Sequence, residues 1–124
     1  MTDFKRIIPV LRIFDYNKTR EFYCDYLGCQ IDFEHTFADN MPIYMQVSRG
    51  NFVLHLSEHH GDATPGACIY VSCEGVDELH AELQAKNYKY LNPGVENMPW
   101  GHKVLELTDP FGNKLRFAEP IGKE

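Results

Sequence analysis

Among the residues that could do chemistry, His55 comes first. His55-Leu-Ser-Glu58-His59 matches H-x-x-E-H, a pattern in which two histidines hold zinc and the glutamate acts as base. That chemistry needs a helix, because only there do residues four apart share one face. Phe52-Val-Leu-His-Leu-Ser has strand character, and Gly61-Asp62 ends the segment, so the motif does not support a protease. His59 and His60 read as solvated turn residues. Cys24, Cys29, Cys68 and Cys73 contain no C-x-x-C pair, which argues against a zinc knuckle or a thioredoxin-like site. They read as small buried apolar side chains, with a Cys–His pair formed in space left open. The sequence has no G-x-S-x-G, P-loop or G-x-G-x-x-G, so nucleophile-elbow, nucleotide-phosphate and dinucleotide chemistry lack support.

Binding chemistry is better represented. Trp100 stands between Pro99 and Gly101 in a stretch without periodic pattern. A tryptophan held so suits a stacking wall for a flat ligand; the alternative is a plug that closes one end of the fold. Phe37 and Tyr44 bracket the loop at 38–42 and suit an opposite wall. Arg116, on the inner face of the last strand, is either an anion clamp or the partner of a buried glutamate. With Gln46, His55 and Ser57, these residues make the candidate ligand-binding set: Phe37, Tyr44, Gln46, His55, Ser57, Trp100 and Arg116. No residue is assigned a catalytic or metal-ligating role, and no cofactor is expected.

The elements that must position these side chains follow from hydrophobic period and turn chemistry. Residues 7–14 read as a strand with Pro9 near its start. A helix capped by Asn17 or Thr19 follows, with Phe22, Tyr23, Tyr26 and Leu27 at helical spacing and Gly28 just past its end. Residues 29–37 alternate apolar and polar as a half-buried strand does, and 43–48 and 52–57 form a hairpin around Arg49-Gly50-Asn51. The turn-rich segment 59–66 divides the chain. The same order then returns: a strand at 68–72, a helix at 76–86, and strands at 88–91, 103–108 and 114–118. Val76, Leu79, His80 and Leu83 share one face of that helix, Asn87 stops it, and Asp109-Pro110-Phe111-Gly112-Asn113 turns between the last two strands. Phe14, Phe22 and Phe117 read as core. Each half is therefore β-α-β-β-β, and two such units side by side can build a curved sheet with a concave face.

At 124 residues, the chain suits a single α+β domain over 1–124, with module one at about 1–60 and module two at about 66–120. Its 44% hydrophobic and 24% charged residues are ordinary globular composition, and the length needs no disulfide or metal to fold. A formal net charge of −6 argues against nucleic acid. It favours a cationic ligand if the carboxylates line the cleft. The apolar stretch at the N-terminus is too short for a signal peptide, and no run is long enough to span a membrane. A cytoplasmic protein with reduced thiols is expected.

Asp15…Phe22-Tyr23…Leu27-Gly28, the Val76-Asp77 helix start and Asp109-Pro110-Phe111-Gly112-Asn113 together resemble the glyoxalase/bleomycin-resistance/dioxygenase (vicinal oxygen chelate) superfamily over nearly the whole chain. The resemblance implies two βαβββ modules with a ligand cleft on the concave face. Ile8-Pro9-Val10-Leu11, Pro99-Trp100-Gly101 and the stretch from Phe52 to His60 resemble the bleomycin-resistance branch, although Tyr44 stands where those drug binders often carry tryptophan.

Enzymes of the superfamily draw metal ligands from the first and last strands of each half. Carried onto this chain, those places hold Ile7 and Pro9, His55, Ala67 or Cys68, and Arg116. One ligand facing an arginine does not hold a divalent cation well. The resemblance thus implies a homodimer that captures a small planar molecule in a metal-free cleft at the subunit interface. Two alternatives stay open at this level: a metal-dependent glyoxalase- or dioxygenase-like enzyme with His55 as one ligand, and an interaction module with a vestigial cleft.

Overall fold

The structure, a computed structural model, describes residues 1–122. Residues 123 and 124, the end of the expected domain, lie outside the described residues. The element order is β1 (Val10–Arg12), α1 (Tyr16–Thr19, continuing in π geometry over Arg20–Tyr26), β2 (Gln30–His35), β3 (Tyr44–Arg49), β4 (Phe52–Ser57), β5 (Cys68–Ser72), α2 (Val76–Ala85), β6 (Val95–Asn97), β7 (His102–Thr108) and β8 (Lys114–Pro120).

The strands form two four-stranded mixed sheets with the same internal order, β1-β4-β3-β2 and β5-β8-β7-β6, and neither closes into a barrel. In each, the first strand pairs parallel with the last and the other pairs are antiparallel. The repeat expected from the order of elements is therefore a repeat of hydrogen-bond topology. Register makes it residue-specific. His55 stands opposite Val10 and Gln46, and Arg116 stands opposite Tyr70 and Glu106. Val10 and Tyr70 are thus equivalent positions, as are His55 and Arg116, and Gln46 and Glu106.

Local chemistry sets the helices. Asp15 caps α1, its carboxylate accepting from the Lys18 amide at 2.8 Å; neither Asn17 nor Thr19 serves as the cap. Thr19 is buried inside the helix instead. After the first turn the backbone widens, with Leu27 N donating to Phe22 O at 2.9 Å. Phe22, Tyr23 and Tyr26 all face the core. Gly28 (φ 85°) and Asn87 (φ 51°) stop the two helices in the left-handed region, where glycine and asparagine are tolerated best.

One core serves both modules. Leu11, Met45, Val47, Leu54 and Leu56 from the first sheet join Leu105, Leu107, Leu115 and Phe117 from the second, around Phe22, Tyr23 and Leu83 of the helices. The Asp109–Asn113 turn fastens the halves together. Tyr23 donates its hydroxyl proton to Asp109 at 2.6 Å, and the Asn113 amide donates to the Arg12 carbonyl at 2.9 Å. Burial pushes the Tyr23 phenol well above its ordinary pKa, with Asp109 adding to the shift, so it is a fixed donor.

Besides the helix cap, four expectations need correction. The first strand covers only Val10–Arg12: Pro9 still accepts from the His55 amide at 2.9 Å, but as a proline it donates nothing in return, and Ile7 stays 91% exposed. Phe14 is exposed where core was expected, whereas Phe22 and Phe117 are buried. Residues 88–91 are turn and coil, and the strand of that region is Val95–Asn97, paired with β7. Of the cysteines, only Cys29 is fully buried, and Cys68 is exposed. No helix among the described residues is long and apolar enough to cross a membrane.

Candidate functional site

Alternation along each strand gives every sheet one face toward the core and one open face. Module one's open face carries Phe33 and His35 on β2, Tyr44 and Gln46 on β3, and His55 on β4. Tyr44 Oη lies 2.7 Å from His55 Nδ1, and His55 Nε2 lies 3.0 Å from Gln46 Oε1. Gln46 Nε2 in turn donates to Asp32 Oδ2 at 2.9 Å.

These contacts assign the histidine tautomer. Turning the glutamine amide over would set its oxygen against a carboxylate, so Oε1 must face the imidazole. Nε2 then carries the ring proton, and Nδ1 accepts from the tyrosine. A directed chain runs Tyr44→His55→Gln46→Asp32. Hydrogen bonds from Gln46 and Ser48 hold the Asp32 carboxyl below the usual carboxylate range.

Beside this chain, Phe33, His35, Phe37, Tyr44, His59 and Asp62 line an open hollow of about 440 Å³. Phe37 is 76% exposed and meets His35 edge-on at 4.8 Å; Tyr44 meets His55 edge-on at 5.1 Å. Ser57 is fully buried, its hydroxyl donating to Asp62 at 2.7 Å and accepting from the His59 amide at 3.0 Å. It fastens the loop that carries His59 and Asp62.

Module two's open face is built differently. Trp100, in the turn before β7, is 61% exposed, which removes the plug reading. Its Nε1 donates to Tyr70 Oη at 3.3 Å, and Tyr70 Oη lies 2.8 Å from His102 Nδ1. Arg116 pairs with Glu106 at 2.9 Å. Of the two alternatives for the arginine, a glutamate partner is the one present, but both side chains are 41% exposed and the glutamate is not buried. The carboxylate raises the guanidinium pKa further.

The candidate residues therefore fall into two groups. Phe37, Tyr44, Gln46, His55 and Ser57 belong to module one, and Trp100 and Arg116 to module two. No hydrogen bond or aromatic contact joins the two groups among the described residues. Phe33, His35, Asp32, Asp62, Tyr70 and His102 were not picked out from the sequence. The period-two pattern of the strands carried the signal for Tyr70 and His102, since 68, 70 and 72 alternate with apolar residues and 102 shares the face of 106.

The donor set does not fit the divalent metal used by enzymes of this fold. Strand register corrects two of the expected ligand places: the four equivalent positions of the two sheets hold Val10 rather than Ile7 or Pro9, His55, Tyr70 rather than Ala67 or Cys68, and Arg116. Both nitrogens of His55 are already committed, and Arg116 brings positive charge. Among the described residues, no three His, Cys, Asp or Glu side chains converge as a metal site.

The family model described as "Glyoxalase superfamily protein" matches residues 1–124. The chain belongs to the glyoxalase superfamily. Bleomycin resistance proteins of Geobacillus stearothermophilus and Staphylococcus aureus are 25% identical to it over 126 residues, covering 92% of this chain and 96% of theirs. Among solved structures, a bleomycin-binding protein complexed with bleomycin superposes with a TM-score of 0.72 at 22% identity, covering 94% of this chain and 98% of that one. TnmS3, an antibiotic binding protein from Streptomyces sp. CB03234, superposes with a TM-score of 0.72 at 21% identity, covering 97% and 99%. Similarity thus lies with the bleomycin-resistance branch of this glyoxalase-superfamily fold.

Proposed function

We propose that this glyoxalase-superfamily protein binds and sequesters a small planar molecule of the bleomycin type, without metal and without turnover, in the cytoplasm. The observation that carries this reading is the pair of open sheet faces with exposed aromatic side chains, Phe37 on one and Trp100 on the other. Flat ligands gain most from such walls, and a net charge of −6 favours a cationic one. The polar groups on each face are satisfied among themselves, which suits a recognition surface more than a reactive centre. The antibiotic-binding relatives support the same reading.

The assembly we propose is a homodimer. A two-fold partner would set the first-module face of one copy opposite the second-module face of the other, uniting Phe37, Tyr44 and Gln46 with Trp100 and Arg116. It would also cover strand edges that a single chain leaves open.

The test is titration with bleomycin while following the fluorescence of Trp100, the sole tryptophan. A saturable emission change is expected, with Trp100→Ala staying folded but binding at least several-fold more weakly. Light scattering should give a dimer, and elemental analysis no stoichiometric metal. Normal binding by Trp100→Ala, or zinc, nickel, manganese or iron lost on His55→Ala, would overturn the reading.

A further inference from the structure

The segment between α2 and β6 folds back over α1. It brings Tyr88, Tyr90 and Leu91 against Phe22 and Pro110 around a niche of about 390 Å³, within the range of small-molecule pockets. Tyr88 is held from behind by stacking on Tyr26 (4.6 Å, 30°), and Tyr90 stands edge-on to Tyr88 at 5.4 Å. The two rings form a corner. Tyr90, 58% exposed, already holds the Lys89 ammonium 5.0 Å from its centroid, so its face accepts a cation.

Two carboxylates border this corner. Glu21 accepts a long bond of 3.3 Å from the Tyr88 hydroxyl through Oε1, and its Oε2 has no protein donor among the described residues. Asp109 is 4% exposed and accepts from Tyr23, from the Asn113 amide side chain and from the backbone amides of Phe111 and Asn113. All four donors are neutral, and no cation pairs with it among the described residues. The niche thus combines aromatic faces with two carboxylates that lack a counter-ion. Two basic groups stand at it, Lys18 in its lining and Lys89 over the Tyr90 ring, and neither makes an ion pair among the described residues, so a ligand cation would have to displace Lys89 from that ring. Tyr88, pushed up to about 12 by burial and then by Glu21, stays a neutral phenol at physiological pH.

We propose that this niche is a second binding site, separate from the open faces, and that it takes a small organic cation, an alkylated or methylated ammonium. The ammonium would sit in the Tyr88–Tyr90 corner with Glu21 as its counter-charge. Apolar substituents would rest on Phe22, Leu91 and Pro110, and a small neutral molecule of the same shape would gain only the apolar part.

The test uses choline and its uncharged tert-butyl analogue, titrated into the intact protein while tyrosine ring resonances are followed by NMR. Choline should shift Tyr88 and Tyr90 saturably, and the neutral analogue should bind about three-fold or more weakly. Tyr90→Ala, at an exposed position, and Glu21→Gln should each weaken choline, and Lys18→Ala should strengthen it by removing a like charge. Trp100→Ala should bind choline as the parent does, which separates this site from the proposed cleft. Equal binding of the neutral analogue, shifts confined to Tyr44 and Tyr70, or unchanged binding in both Tyr90→Ala and Glu21→Gln would overturn the proposal.

Discussion

The open faces of the two modules occupy the same places on the same strand order, yet their side chains solve the same problem in opposite ways. Where module one sets His55 beside Gln46, module two sets Arg116 beside Glu106. Module one answers with a directed chain of hydrogen bonds ending on Asp32, and module two with an ion pair in solvent and a separate Trp100–Tyr70–His102 group. The half-buried links of that chain, Tyr44–His55 and His55–Gln46, are sensitive to loss of a member, because a donor left unpaired keeps its desolvation cost, whereas the Asp32 carboxylate at its end is solvated. A solvated ion pair contributes little to stability and can be exchanged for contacts to a ligand. In this comparison module one supplies a preformed surface and module two an adaptable one.

The largest expected effect tests what the modules share. Leu83, 1% exposed, belongs to the core common to both sheets. Leu83→Ala should lower stability by about 2–5 kcal/mol, in line with other large-to-small changes in packed cores. Denaturant unfolding should show one transition for the whole chain. Two separate transitions would mean that the modules fold independently and that the shared core is weaker than its burial indicates.

The next effect is the contrast itself. Gln46→Leu leaves the half-buried His55 Nε2 without its acceptor while exposed Asp32 turns to water, and should lower the unfolding midpoint measurably. Glu106→Gln, on the equivalent strand of module two, should leave the unfolding midpoint unchanged. Equal losses in both variants would break the distinction between a preformed and an adaptable face.

Thiols sharpen it further, with a smaller effect. Cys29 in module one is 6% exposed and pushed up from its ordinary 9.0 to about 12 by burial. A thiol raised in the folded state gives stability that is fully present below pH about 9 and is lost as pH rises toward 12. Stability should therefore fall across that alkaline window, less steeply in Cys29→Ala. A thiol reagent at neutral pH should label exposed Cys68 first and Cys29 only on unfolding.

The parts of this molecule that could be read from the chain are those decided locally. Gly28 and Asn87 mark helix ends because few other residues accept their backbone conformation, and the 52–57 and 68–72 strands stand where their β-branched and alternating residues put them. Reading failed where a long-range contact decides. Tyr88, Tyr90 and Leu91 look like a short strand, but Tyr88 stacks on Tyr26 from the other half, and that contact sets the segment's course. The site was legible as a list of residues and not as a geometry. Gln46 and His55 could be placed together from the hairpin register, whereas nothing local to Trp100 reveals Tyr70 as its partner. The assignment of Trp100 and Phe37 to different sheets also depends on the topology.

The smallest expected change concerns Tyr26, which lies where the modules meet. The ring is useful: it packs against Phe22 and stacks on Tyr88 across the module boundary. The hydroxyl is not, since its oxygen is buried and has no hydrogen-bond partner. Burial alone raises the phenol above its ordinary pKa, as expected when no donor or cation stabilises the ionised form. An unpartnered polar atom in a packed core is a cost, and replacing it with an apolar group of similar shape is neutral or stabilising. Tyr26→Phe should therefore keep or slightly raise the unfolding midpoint, while Tyr23→Phe, which strips a donor from Asp109, should lower it by about 1–3 kcal/mol. The two tyrosines sit three residues apart on one helix, so the same measurement on both separates the value of the ring from the value of the hydroxyl. A clear loss in Tyr26→Phe would reveal a partner for that oxygen in solution, with an ordered water in the adjoining hollow beside Gln84 and Asn92 as the first place to look.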